Sequence, residues 1–358
     1  MKGNKGEWSE IYALLKLLGD KEVYVGDENI NRIPELLYPI VKIIRDESGG
    51  HFEYSVNDEI IIINSEEKDV FSIPVSEFKN QSLLLLEKIK KANTSSFEIP
   101  ELEEFLSKIN CNSLTASSSV KTDIRIVIHD LKTNQEPELG FSIKSQLGGA
   151  STLLNAGKTT NFVYKIIGDI DIDFMEELNF ISSRSKIKDR INRLLSKDIS
   201  LEFSHTEREI FGNNLVLIDS LLPNILAQIV LSFYSSNLSK IKDIIEVIEK
   251  ENPLNFNVSN NHKYYEYKIK KLLSESALGM MPSKVWNGLY DATGGYLVVK
   301  ENGEVLSYHI YNRNKFENYL FNNTKLDTAS SSRHQFGTVY QNEGSYFLKL
   351  NLQIRFIK

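Results

Sequence analysis

The sequence predicts an α/β fold, a mixed β-sheet flanked by helices, with helical additions in mid-chain and a C-terminal β region. Three observations carry this. Strand period and helix period occur in the same N-terminal half: Ile124, Ile126 and Ile128 alternate with Asp123, Arg125 and Val127, while Trp8, Ile11, Leu15 and Leu18 recur at helical spacing. Residues 184–275 read as mostly helical. A composition shift near Met280–Gly295 then opens a strand-rich tail.

Taken in order, the first helix covers about residues 8–18. A second helix is expected over Ile33–Arg45, strained by Pro39. Glu59–Asn64 and Val70–Pro74 read as a hairpin around SEEK, followed by helices near Gln81–Lys91 and Pro100–Ile109. The polar run SLTASSSVKT leads into two strands, IRIVI and LGFSIKS, and Asn161–Ile167 is expected as a third strand of the same sheet. Within the helical middle, Leu215–Phe233 is the strongest helix candidate and, interrupted by Asp219, Pro223 and Asn224, reads as a buried core helix, and Ile199–Phe203 reads as a short strand. In the tail, Tyr296–Lys300 and Val305–Tyr311 flank Glu301-Asn302-Gly303, a hairpin signal, and Gly337–Tyr340 and Tyr346–Phe356 complete the chain.

Composition narrows the function. Charged residues are 25% and hydrophobic residues 41% of the 358, a globular balance. A single cysteine, Cys111, excludes an intrachain disulfide, argues against a zinc site and suits a reducing cytoplasm. The N-terminus has no apolar signal core and no run approaches a membrane span, so the expectation is a cytoplasmic protein without membrane contact. The net charge of −6 argues against a nonspecific polyanion binder, yet basic residues cluster locally. Arg184 to Lys197 holds six basic residues and one acid, and His262–Lys271 interleaves tyrosines with lysines. Each run suits a phosphate backbone, and each equally suits a solvated helix face.

The segment from Lys121 to Gln146 carries the chemistry. Asp123 opens one strand, and Ser142 and Lys144 lie in the next, with eighteen residues between Asp123 and Ser142. This layout resembles the PD-(D/E)xK nuclease site with serine at the middle acid. Phosphodiester hydrolysis needs a carboxylate to hold Mg²⁺, which prefers oxygen ligands and lowers the pKa of a bound water. A lysine beside that water meets the developing negative charge. In an antiparallel hairpin Asp123 pairs near Lys144 and Asp130 near Pro137, across a turn of Leu131–Glu136. The Ile row and Phe141/Ile143 then face the core, with Asp123, Ser142 and Lys144 on the other face. Asp123 is therefore chosen over Asp130.

Serine leaves one acid missing. Glu10 on the first helix lies off the apolar stripe and is one source of that acid; an exposed surface glutamate is the plain alternative. Gln146 shares the strand face of Lys144 and would orient water or phosphate, or simply end the strand. Asn155, Lys158 and Asn161, in the loop after the second strand, are candidate DNA contacts, and GKT there lacks the glycine spacing of an NTP-binding loop. Arg184, Lys188, Asp189, Arg190 and Arg193 are candidate base readers, since arginine reads guanine and aspartate accepts from cytosine; a helix with local ion pairs is the alternative. Arg333 and His334 form a further candidate pair.

The stretches GNKGEWSEIYALLKLL, KTDIRIVIHD, LGFSIKSQLGGASTLLNAGKTTNF and SSSRHQFG…YFLKLNLQIRF resemble the HpaII family of type II restriction endonucleases, from the first helix to the last strand. The resemblance implies a restriction-endonuclease-like core and Mg²⁺-dependent cleavage of double-stranded DNA at 5′-CCGG-3′, giving 5′-phosphate ends. It also implies a functionally linked DNA methyltransferase. It assigns Asp123, Ser142 and Lys144 to the D…SxK positions. The second metal-binding acid is expected at Glu10, with Glu176 or Glu177 behind it. A palindromic site suits a homodimer. The expected division is 1–170 for the N-terminal helices and catalytic core, 171–290 for a helical DNA-binding region and 291–358 for a β region, or one compact domain. The competing readings are a structure-specific repair or junction-resolving nuclease and a noncatalytic DNA-binding protein.

Overall fold

The computed structural model describes residues 1–47, 50–64, 70–115 and 122–358. A two-residue strand β1 (Lys2–Gly3) and helix α1 (Lys5–Asp20) precede five strands: β2 (Glu22–Gly26), β3 (Arg32–Glu47), β4 (Gly50–Val56), β5 (Glu59–Asn64) and β6 (Val70–Pro74). Helix α2 (Val75–Lys91), β7 (Phe97–Glu98) and α3 (Pro100–Lys108) lead to the hairpin β8 (Ile124–Ile128) and β9 (Glu138–Ser145). Then come β10 (Thr152–Leu154), β11 (Asn161–Ile167), α4 (Ile172–Phe180), α5 (Lys186–Leu195) and β12 (Ser200–Thr206). Helices α6 (Glu209–Ile218), α7 (Leu222–Ser235), α8 (Ile241–Glu251) and α9 (Tyr264–Leu278) follow. The chain finishes with β13 (Gly295–Val299), β14 (Val305–His309), α10 (Arg313–Asn322), β15 (Thr324–Leu326), the one-turn α11 (Ser331–His334), β16 (Val339–Asn342), β17 (Ser345–Asn351) and β18 (Ile354–Phe356).

The chain is mixed α/β, as its pattern predicts. Nine strands form one sheet in the order β2-β14-β13-β9-β8-β3-β4-β5-β6. β13 runs parallel to β9 and β14 parallel to β2, while the other pairs are antiparallel. One difference from a plain flanked sheet is closure. β2 also pairs with β3, so six strands join into a barrel-like ring. The sixteen-residue β3 makes this possible, since its first half pairs with β2 and its second half with β8 and β4.

Alternation along β13 divides the interior. Tyr296 and Val298 enter a core built with the later helices, while Leu297 and Val299 enter a core built around α1–α3. Asn4 caps α1: its side chain accepts from the backbone N–H of Gly6 and Glu7, and the Glu7 carboxylate accepts from the Asn4 N–H. The helix packs on α2 and on β2, β3, β9, β13 and β14, which leaves Trp8, Ile11, Leu14 and Leu15 fully buried.

Three expectations are corrected. Ile33–Arg45 is strand β3, not helix: Pro34 and Pro39 lack the amide a helix needs, and Ile40, Val41, Ile43 and Ile44 are β-branched. Asn161–Ile167 pairs with β12 and β17 in a separate antiparallel sheet, β12-β11-β17-β16, because the chain leaves the first sheet after Ser145 and β10 pairs with β18. Leu215–Phe233 is divided between α6 and α7, bent by 111° at the Asp219–Leu221 break. The β5–β6 hairpin pairs as expected, although its SEEK turn falls in 65–69, outside the described residues, as does 116–121 of the polar run before β8. Among the described residues no single helix is long and apolar enough to cross a membrane.

Candidate active site

β8 and β9 pair with Ile124 opposite Phe141 and Ile126 opposite Leu139. Asp123 therefore lies opposite Ser142, two residues from the expected partner Lys144. The shift is even, so no side chain changes face. It also shortens the turn, since Asp130 bridges to Gln135 and its carboxylate accepts from the Lys132 N–H. Asp130 closes the hairpin, at the far end of β8 from Asp123.

Asp123 stands one residue before β8 and its N–H still donates to the Phe141 carbonyl at 2.9 Å, while the Ile143 N–H turns to its side chain. That N–H donates to Asp123 Oδ2 at 2.6 Å. Ser142 Oγ donates to the same oxygen at 3.1 Å, and Lys144 Nζ donates to Ser142 Oγ at 3.0 Å. Ammonium, hydroxyl and carboxylate thus form one chain of hydrogen bonds. Serine stands here as a linker between acid and lysine. Gly140 permits the close packing beside Asp123, since a Cβ there would lie 2.8 Å from Thr122 Oγ1.

Glu10 belongs to the same electrostatic site. Its carboxyl is pushed up to about 8, by burial first and by the charge of Asp123 second, while Arg45 and Lys144 oppose the rise. Burial lowers the Lys144 ammonium from its ordinary value, against the pull of Asp123 and Glu10. Ser9, next to Glu10, shares a 2.7 Å hydrogen bond with Ser145, which fixes α1 to β9. The Gln146 N–H donates to the Val299 carbonyl at 2.9 Å, and Gln146 lines a narrow pocket with Lys144 and Val298.

Sequence reasoning missed Arg45 and Tyr296. Arg45 lines an open cleft with Asp123 and Arg125; it is 2% exposed and held by Glu47 at 2.6 Å and the Ser113 carbonyl at 2.7 Å. Its strand had read as a helix, which hid its face. Tyr296 comes from β13, whose parallel pairing with β9 no local pattern reveals. Glu176 and Glu177 are elsewhere: α4 packs on β16, and Glu177 accepts from Arg193 at 2.9 and 3.1 Å.

The candidate DNA contacts separate into two groups. Asn155, Lys158, Arg184 and Arg333 are exposed, and His334 is half-buried. Asn161 is fully buried: its amide donates to Glu207 and the His334 carbonyl and accepts from Asn351. Arg190 is 6% exposed and donates to the carbonyls of Leu178, Asn179, Ile181 and Gly337. These two side chains hold the fold together. Lys188 donates to the Ser236 carbonyl and Asn237, and Asp189 accepts from Ser183 and Ser185. Arg184, Lys186 and Lys188 share an open groove with Asn237 and 328–332, and among the described residues no carboxylate lines it. In the tyrosine–lysine run, by contrast, Lys268, Lys270 and Lys271 pair with Asp219, Glu266 and Glu317.

Acid, hydroxyl and lysine are thus joined on paired strands, with a second acid in their field. A family model described as HpaII restriction endonuclease matches residues 4–356. The chain is also 51% identical to the type II restriction enzyme HpaII of Haemophilus parainfluenzae, over 99% of its own length and 98% of that enzyme. It belongs to the HpaII restriction endonuclease family and is a site-specific deoxyribonuclease. No solved structure matches it.

Proposed function

We propose that this chain is a Mg²⁺-dependent type II endonuclease that cleaves both strands of duplex DNA at a short palindrome, 5′-CCGG-3′, leaving 5′-phosphate and 3′-hydroxyl ends. The observation that carries the mechanism is the Lys144–Ser142–Asp123 chain of hydrogen bonds, with Glu10 beside it. The sequence specificity rests on the family resemblance. The β8–β9 hairpin is read as the heart of a PD-(D/E)xK-type core.

The residues fit a hard cation. Asp123 and Glu10 offer oxygen donors, and burial together with the neighbouring Asp123 charge raises the Glu10 carboxyl, a pairing of acids that a cation would relieve. Among the described residues both donors to Asp123 take Oδ2, which leaves Oδ1 for a ligand role. Among the described residues no group of three or more His, Cys, Asp or Glu is arranged to hold a metal. Strand carbonyls and water would complete the set, as suits Mg²⁺. When bound, Mg²⁺ supplies charge neutralisation at the phosphate and a water of lowered pKa.

The chain's own groups do the rest. Ser142 holds Asp123 and Lys144 in fixed relation, and the Lys144 ammonium meets the negative charge that develops as water attacks phosphorus. Gln146 orients water or phosphate. Arg184 and Lys188 follow the DNA along their groove, with Asn155, Lys158, Arg333 and His334 as further contacts. Asp189 and Arg193 join them only if DNA displaces Ser183, Ser185 and Glu177. The enzyme acts as a homodimer in the cytoplasm, alongside a methyltransferase that protects the same site.

Digestion of a plasmid of known sequence with Mg²⁺, followed by mapping of the ends, tests this reading. Cuts confined to CCGG with 5′-phosphates are expected. Cutting only at branches or lesions would replace it with a structure-specific nuclease.

A further inference from the structure

We propose that Tyr296 is a positioning residue for Lys144, its ring face holding the ammonium group in place for attack on the phosphodiester. The inference rests on the reading of Lys144 as the catalytic lysine.

β13 lies parallel to β9 with Tyr296 opposite Ser142 and Val298 opposite Lys144. Side chains opposite one another on adjacent strands share a face, so the ring lies on the face of Ser142 and Lys144. Lys144 Nζ lies 5.0 Å from the centre of that ring, within cation–π range. The ring is itself fixed. Tyr296 is 2% exposed, meets Phe316 edge-on at 5.5 Å and stands 6.0 Å from Phe356. Lys144 is thus braced between the Ser142 hydroxyl and an immobile π face.

The choice of an aromatic has a chemical reason. A lysine has a long, flexible stem and must be held if it is to act at one point. A ring face attracts a cation through its quadrupole and, unlike a carboxylate, adds no further negative charge where a phosphate must approach.

The test compares single-turnover cleavage with DNA affinity in metal-free buffer. Tyr296→Phe keeps the π face and should cut within about twofold of wild type. Tyr296→Met keeps an apolar side chain without a π face; its cleavage rate should fall about tenfold while DNA affinity stays near wild type and the melting temperature falls only by the packing lost. Phenylalanines carrying more fluorine at this position weaken the ring's negative face at nearly constant shape, so the rate should fall stepwise with each addition. That series decides the matter if the methionine variant fails to fold. Full activity in Tyr296→Met, or a fluorinated series with a constant rate, would overturn the proposal. Lys144→Ala in the same assay separates the two ideas. If it cuts, the reading of Lys144 itself fails; if it is dead while the ring variants are normal, only the role of Tyr296 fails.

Discussion

At the scale of single residues, the site turns on what replaces the missing middle acid. Ser142 carries no charge, so the negative charge near Lys144 comes from Asp123, joined by Glu10 once its carboxyl ionises. Ser142→Ala should keep the metal-binding acids and lose the link between acid and lysine, lowering single-turnover cleavage about tenfold, far less than Asp123→Ala. Glu10 gives a pH prediction with a definite sign. Its carboxyl rises from an ordinary 4.5 to about 8, so the folded state holds this proton more tightly than the unfolded chain. The metal-free protein is then most stable with respect to this group below pH 4.5, and loses stability as pH rises toward 8. Glu10→Gln should leave stability unchanged at low pH and raise it by about 1–3 kcal/mol near pH 8, as chemical denaturation would measure. Mg²⁺ binding needs the carboxylate, so affinity by calorimetry should climb with pH to about 8 and release a proton below it. A flat profile in the wild type would remove Glu10 from the ligand set.

At the scale of elements, the basic run leading into and along α5 divides between side chains tied into the fold and exposed ones proposed for DNA contact. Arg190 ties the end of α4 to Gly337 through four carbonyls, so Arg190→Ala should cost roughly 2–4 kcal/mol of stability. Arg184 is exposed on the groove, so Arg184→Ala should leave the melting temperature alone and reduce the salt dependence of DNA binding by about one charge. A sequence reading put both arginines in one set of base readers, because helical spacing does not tell which carbonyls a neighbouring element will present. The site itself was largely legible. Period-two alternation fixed which residues of β8 and β9 share a face, and that survived a two-residue error in register. What could not be read was non-local: the strand character of Ile33–Arg45, the closure of β2 on β3, and the parallel approach of β13, which delivers Tyr296.

At the scale of the whole molecule, two cores meet across the β13–β14 hairpin. Asp123, Ser142 and Lys144 stand on the ring of strands, while the basic groove is lined by the start of α5, the end of α7 and residues 328–332 beside the other core. The proposed recognition of a palindrome calls for a two-fold dimer on DNA, so sedimentation with a CCGG duplex should give two chains per duplex. One chain per duplex during cleavage would require the two strands to be cut in turn.

The central claim is that Asp123, Ser142 and Lys144 form the catalytic centre. Its most direct test is single-turnover cleavage of a duplex carrying one CCGG site by Lys144→Ala, with DNA binding measured on the same sample. The account predicts wild-type binding and a cleavage rate lowered at least 10²–10³-fold. A variant that binds and cuts like the wild type would contradict it.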